Sequence, residues 1–292
     1  MTRLLPTLFM LFLLTLLAIP RVSHAAQGYD NCTGVISSIP AVISTQGIWC
    51  LKSDLSTANV SGNAITINAN NVTIDCNDFK LGGLAAGPGT LATGIAAVDR
   101  FNITIRRCNI RGFYFGLDFD SASHNSGGAY LVEDNRFDGN TYFGMNVEGD
   151  NSMIRRNRMF NTGGSSWIQD ATGIYATYSV DIMNNTVSNV VAKSGGNGNA
   201  YGIITSTNLD GRIIGNRVSG VAKDGTGVGE GIYNVSSGRI SIRDNDIFGS
   251  PSATNVALTC GSANGRARNN TINGYASALA TCNNSGGNAI LP

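Results

Sequence analysis

Charge is scarce in this chain: Asp, Glu, Lys and Arg together make up 13% of its 292 residues. Setting aside Arg3 and Arg21, which lie in the N-terminal segment, Lys+Arg falls from 20 to 18 against 19 Asp+Glu. The remainder is thus near −1, which excludes a nucleic-acid partner, since that needs a basic face. Histidine is almost missing. Of two His in the chain, only His124 lies beyond residue 25. A Ser-His-Asp arrangement therefore has little to be built from, and no zinc-ligand spacing occurs. No amphipathic period of 3.6 residues persists, and Gly interrupts every candidate helix. After the N-terminus there is no second long apolar run, so no membrane span is expected in the mature chain. Disorder normally carries more charge than this. Low charge with 37 Gly and many Asn suits a solenoid with many tight turns.

What is present begins with Met1-Thr2-Arg3, an apolar run from Leu4 to Ile19, Pro20, and then Ser23-His24-Ala25. This is the order of a signal peptide, over 1–25, with cleavage expected near Ala26. All six cysteines follow it: Cys32, Cys50, Cys76, Cys108, Cys260 and Cys282. An even count in an exported chain reads as disulfides, and the chain is expected to be secreted or periplasmic.

An internal repeat decides the fold class. One Asn followed two residues later by an apolar residue recurs at Asn77/Phe79, Asn135/Phe137, Asn157/Met159, Asn185/Val187, Asn216/Val218, Asn245/Ile247 and Asn270/Ile272, with Cys108/Ile110 in the same slot. Before each slot the apolar residues alternate, as in Val72/Ile74, Ile103/Ile105 and Val180/Ile182. A Gly-led strand comes next in each repeat: Gly116-Leu117, Gly144-Met145, Gly173-Ile174, Gly202-Ile203 and Gly231-Ile232. Period two puts one set inside and the other outside. The expectation is an all-β, single-stranded, right-handed parallel β-helix, three strands per coil and roughly eight coils. A cap and first strands would occupy 26–70, and the repeats 71–292. Asn suits the turn because it tolerates the left-handed backbone, and stacked amides can bond along the axis.

Disulfides follow from the same coil arithmetic. Cys260 and Cys282 are one short coil apart in matching contexts, Ala257-Leu258-Thr259 and Ala278-Leu279-Ala280-Thr281, with one extra residue. They are expected to pair, and Cys32 with Cys50 to pin the N-terminal cap. Cys76 and Cys108 remain as a pair on adjacent coils. Against that pairing, Cys108 fills the Asn slot while Cys76 lies one residue before it.

The segments Trp49-Cys50-Leu51, Asn71-Val72-Thr73-Ile74-Asp75-Cys76-Asn77 and Asn102-Ile103-Thr104-Ile105-Arg106-Arg107-Cys108 resemble the pectate-lyase-like right-handed β-helix superfamily, most nearly its uncharacterised exported bacterial members. The resemblance implies that the Asn turn is the short one and that the Gly-led strand floors the usual binding cleft. It leaves activity open, since such folds host many chemistries. Known catalytic patterns of these proteins are mostly absent: no Asn-Thr-Asp, Asp-Asp or Gly-His-Gly motif occurs.

Outward positions on the Gly-led strands are Ala96/Val98, Asp118/Asp120, Asn146/Glu148, Tyr175/Thr177, Ile204/Ser206 and Tyr233/Val235. Asp118, Asp120 and Glu148 thus fall on adjacent coils, strands about 4.8 Å apart. They are the candidate catalytic residues, as a glycosidase-type pair or around a shared Ca²⁺. No motif demands any other cofactor. Asn146, Tyr175, Tyr233 and Trp167 are candidate substrate-binding residues, since ring faces suit sugar C–H faces. Arg111 or Arg136 is placed opposite a uronate carboxylate on charge alone. Asp75, Arg106, Glu133 and Arg155 form an outward column of alternating sign and read as a structural ladder. His124, alone in the loop 121–129, reads as inert. Two functional classes remain. One is a polysaccharide lyase or glycoside hydrolase acting on extracellular or cell-envelope polysaccharide. The other is a non-catalytic, adhesin-like solenoid, for which polar outward positions and a chance cluster of carboxylates suffice. The oligomeric state is left open.

Overall fold

The computed structural model describes residues 31–206, 210–235, 237–249 and 255–291. The expected signal peptide and its cleavage site lie outside them. Among the described residues no helix is long and apolar enough to cross a membrane.

Three strands per coil build three parallel sheets, of ten, eleven and ten strands. Gly-led strands such as Phe115–Asp120, Phe143–Glu148, Ala171–Thr177, Ala200–Ser206 and Gly229–Asn234 form one sheet. Strands before the Asn slot, such as Ile103–Arg106 and Val180–Met183, form the second. Those after it, such as Asn109–Arg111 and Arg136–Asp138, form the third. The alternating residues make the core: Val72, Ile74, Ile103, Ile105, Val180 and Ile182 are all buried. No coil could bury this surface alone, so stacking supplies the stability.

The Asn slot is a buried ladder. The Nδ2 of Asn135, Asn157, Asn185, Asn216 and Asn245 each donates to the Oδ1 of the next, at 2.9–3.1 Å. Each Oδ1 also accepts the backbone N–H of the preceding slot residue, as in Asn157 N to Asn185 Oδ1 at 2.9 Å. Each Nδ2 reaches a carbonyl one coil back, as in Asn185 to Ile154 O, 2.9 Å. Asn270 extends the run to Asn288 at 2.9 Å, a member the repeat alignment omitted. These buried polar groups are thereby satisfied.

Two details depart from the sequence reading. The left-handed residue of the turn is the one before the Asn: Arg107, Asp134, Arg156, Asn184, Asp244 and Asn269 have φ of 52–58°. The slot Asn is selected for its two-sided amide rather than for tolerance of that conformation. Asn77 is also outside the slot. Ile110 pairs with Leu81, not Phe79, while Ile105 pairs with Ile74. The coil of Asn77 therefore carries two extra residues at this turn, and both Asn77 and Asp78 adopt positive φ.

That insertion explains the middle disulfide. It frees Cys76 from its nominal register, and Cys76–Cys108 forms with Cα atoms 4.7 Å apart. Cys108 N donates to Asn135 Oδ1 at 3.0 Å, so the disulfide continues the Asn column toward the N-terminus. Cys260–Cys282 and Cys32–Cys50 also form, with Cα separations of 4.9 and 5.9 Å. The extra residue before Cys282 is absorbed as Thr281, in the left-handed region. No cysteine is left free.

Removing the middle bridge as Cys76→Ala with Cys108→Ala is expected to cost about 3–4 kcal/mol for a loop of this length. Cys76→Ala with Cys108→Asn should recover part of that loss, because an amide side chain in this slot can donate into the ladder. Urea unfolding of both variants checks this; equal stability would show that position 108 does not belong to the column.

On the second sheet the charged column pairs in register, Asp75 with Arg106 and Glu133 with Arg155. Arg106 Nε meets Asp75 Oδ2 at 2.9 Å and Arg155 Nε meets Glu133 Oε2 at 2.9 Å. Asp75 keeps its place in that column and is buried beneath Arg106 and Arg107. Despite that burial, its bonds to Arg107 and the Asn77 N–H, with the Arg107 and Arg106 charges, hold its carboxyl below the usual range.

Candidate functional site

The Gly-led sheet is read from its pairing. Asp118, Asn146, Tyr175, Ile204 and Tyr233 lie side by side on successive strands. The next outward row carries Asp120, Glu148, Thr177 and Ser206, with Glu148 paired to Thr177 and Thr177 to Ser206. Asp118, Asn146 and Glu148 meet directly. Asn146 Nδ2 donates to Asp118 Oδ1 at 2.9 Å and to Glu148 Oε1 at 3.3 Å. Asn146 is itself buried, and its Oδ1 has no hydrogen-bond partner.

Asp118 and Glu148 are both half-buried, and Asp120 is exposed. Burial is the main reason that the carboxyl of Asp118 is pushed above its ordinary value, and the charge of Asp120 adds to it. Glu148 is raised by burial first, then by Asp120 and Asp118. The shared Asn146 amide opposes both shifts. The charges acting on these two groups are carboxylates, with no Lys or Arg among them. Among the described residues, no three His, Cys, Asp or Glu side chains converge as metal ligands. Asp118, Asp120 and Glu148 therefore do not form a ready Ca²⁺ cage.

His124 sits at the rim of this patch. Its Nδ1 lies 3.3 Å from Asp150 Oδ2, and its ring packs on Tyr178 at 4.0 Å between centroids. Asp150 in turn accepts the Ser179 N–H at 3.0 Å. The phenol of Tyr178 is pushed up by burial, then by the charges of Glu148, Asp150 and Asp120. His124 and Tyr178 thus join the acidic patch through a loop contact that spacing in the sequence does not show.

Aromatic rings continue the surface. Tyr175 stacks on Phe143 at 5.6 Å with planes 5° apart. Phe143 packs edge-on to Phe115 at 5.1 Å and stacks on Tyr142 at 4.0 Å. Tyr233 belongs to a separate pair with Tyr201, at 5.6 Å and 18°. Phe115, Phe143 and Tyr201 were missed because outward positions were counted from the lead Gly. The residue before that Gly also faces out.

Trp167 is 66% exposed, with its indole N–H on Gly89 O at 2.8 Å. Ser166 N bonds Pro88 O at 2.9 Å and Ser165 N bonds Thr141 O at 3.1 Å. The loop 163–170 therefore reaches back across the preceding coils, to Thr141 and on to Pro88 and Gly89. Trp167 lies on this strap, outside the strand of Tyr175. Arg111 and Arg136 lie on the third sheet. They do not share a face with the carboxylates, so the pairing of these arginines with a uronate bound at Asp118 or Glu148 is withdrawn.

No protein-family profile matches the chain, and no curated protein sequence matches it. Three solved chains do, among them a tailspike protein and an epimerase module. The Dettilon tailspike protein gives a TM-score of 0.51 at 15% identity, over 88% of this chain and 60% of that one. This chain thus spans less than two thirds of the tailspike's length. The A-module of the Azotobacter vinelandii mannuronan C-5 epimerase AlgE6 gives 0.40 at 13% identity, over 89% and 91%. At these identities the likeness concerns fold.

The fold is a parallel β-helix with three strands per coil.

In such a β-helix the Gly-led sheet, with its carboxyl patch and ring pairs, is one outer face among three. The three disulfides of this β-helix belong to an oxidising compartment.

Proposed function

We propose that this exported β-helix binds an extracellular or cell-envelope polysaccharide along the Gly-led sheet and hydrolyses it at Asp118, Asp120 and Glu148. One observation carries the reading: two carboxyls with raised pKa share one buried amide beside a stacked aromatic pair. A carboxyl pushed upward holds its proton to higher pH and is better suited to protonate a leaving glycosidic oxygen. Glu148 takes that role. Asp120, exposed on the neighbouring strand, serves as nucleophile or base. Strand spacing of about 4.8 Å favours the retaining separation of about 5–5.5 Å. Asp118 and Asn146 position Glu148, and Asp118 adds to the charge that holds its proton. The absence of a cation among the charges shifting these carboxyls favours a neutral glycan over a polyuronate, and hydrolysis over lyase chemistry.

The Tyr201–Tyr233 pair supports a second, non-catalytic reading. It continues the surface beyond the carboxyls, as a binding track would. The test separates the two. The purified protein should bind a neutral glycan saturably and release new reducing ends from it. Tyr175→Ala should weaken binding about tenfold, in line with about 1 kcal/mol for a ring contact. Binding without cleavage would leave only the second reading. Wild-type binding by Tyr175→Ala would remove the glycan from this face.

A further inference from the structure

The third sheet carries a groove of about 420 Å³ lined by Asp54, Asp78, Lys80, Arg111, Arg136 and Asp138, among others. Its arginines are held more loosely than Arg155 and Arg156. On the second sheet Arg155 and Arg156 hold their carboxylates at 2.8 Å. Here Arg111 and Arg136 share a single carboxylate, Asp138, and both stand off at 3.5 Å. Asp138 is also engaged from another side, by Asn161 Nδ2 at 3.0 Å. The Nε of Arg111 is buried and has no hydrogen-bond partner. Lys80 is occupied by Asp54 at 3.3 Å. Two planar forks thus face one loosely held acceptor, and a buried donor is left unspent. Arg136 also lies over the Phe160 ring at 5.2 Å, which holds its guanidinium in place.

A second wall extends the groove. A neighbouring cavity of about 250 Å³ shares Lys80 and Arg111 and adds Leu84 and Ala85. The site therefore offers more room than a bare ion fills, with an apolar side next to the charged one. Planar guanidiniums match carboxylate geometry bidentately.

We infer that this groove is a carboxylate-binding subsite, in which Arg111 and Arg136 take the carboxylate of a ligand of sugar-acid or amino-acid size. It lies on a different sheet from the carboxyl patch and stands independently of the glycan reading.

The Arg111 Nε–H resonance of the full mature chain provides the readout. It should shift saturably on titration with D-glucuronate or succinate, in the millimolar range. A response to glucuronate alone assigns a sugar acid; a response to both assigns the carboxylate as such. Arg136→Gln, at a side chain 56% exposed, should weaken the titration about tenfold without moving the melting temperature. Asp138→Asn removes the competing carboxylate and should tighten it severalfold. Arg111→Lys, which keeps the charge and loses the fork, should weaken it. Inorganic phosphate binding as tightly as either acid would overturn the carboxylate assignment. So would an unshifted Arg111 resonance, or a titration that Arg136→Gln leaves unchanged.

Discussion

Glu148→Gln is expected to lower glycan hydrolysis by about 10²–10⁴, the usual contribution of a positioned general acid, while leaving glycan binding intact. Gln fills the same space and still accepts the Asn146 amide hydrogen, but it has no proton to give. Stability should move the other way. Glu148 is a carboxyl raised by burial and by its acidic neighbours. A folded-state pKa above the unfolded value contributes stability below the unfolded value, and that stability is lost as pH rises through the folded value. Once pH has passed its raised folded value, the charged Glu148 is therefore a modest burden, reduced by partial solvent exposure. The melting temperature of Glu148→Gln should equal or exceed that of the wild type at pH 7–8 and lose any advantage near pH 4. Undiminished hydrolysis would return Glu148 to the surface of a binding protein. A collapsed melting curve would mean that Glu148 supports the fold instead.

The second large effect is on stability, at Asn185. Its Oδ1 accepts both the N–H and the Nδ2 of Asn157, and its Nδ2 donates to Ile154 O and Asn216 Oδ1. In Asn185→Ala the Asn157 N–H and the Ile154 carbonyl lose these partners in a buried setting. At about 1–3 kcal/mol for each orphaned group, the cost should be about 2–5 kcal/mol. A domain of this size loses about 2–4 °C per kcal/mol, so thermal melting should fall by about 10 °C. Asn185→Asp is the sharper probe. Its second oxygen would face two acceptors, Ile154 O and Asn216 Oδ1, and its charge would be buried. It should be at least as destabilising as Ala at pH 7. It should regain stability on acidification, because a protonated carboxyl can donate again. A pH-independent Asp variant, or an Ala variant within about 0.5 kcal/mol of wild type, would show that the ladder is an ornament of the turn.

The fold was legible because its signals are local and repeated. Alternation such as Ile103/Ile105 and one Asn per coil set strand, turn and register together. What failed was whatever depended on a change of coil length. Asn288 follows Asn270 by 18 residues, shorter than any step used to find the column. Two inserted residues moved Asn77 out of the slot and brought Cys76 toward Cys108. The left-handed residue escaped notice because Arg107, Asp134 and Arg156 differ from one another, while the recurring Asn beside them does not adopt that conformation. At the candidate site the carboxyl row could be counted along the strands. His124 on Tyr178, and Trp167 tied to Gly89, are contacts between loops whose paths no period describes. The loose hold of Arg111 and Arg136 on Asp138 is a matter of distances, which a charge pattern does not contain.

The amide ladder also has a direction. One hydrogen of each ladder Nδ2 donates toward the C-terminal coil, so the stack would always ask for one more acceptor at that end. Asn288 keeps the usual carbonyl contact, Nδ2 on Ala267 O at 3.0 Å, and gives its other hydrogen to Asn284 Oδ1 at 2.8 Å. Both of its amide hydrogens are thereby used. At the other end the column passes into the Cys76–Cys108 bond, which offers no amide to a newcomer. Head-to-tail relations between copies that never close generate filaments, and exposed strand edges invite them. This polar spine is sealed covalently at one end and by the Asn288-to-Asn284 hydrogen bond at the other, so a second molecule docking end to end finds no ladder to join.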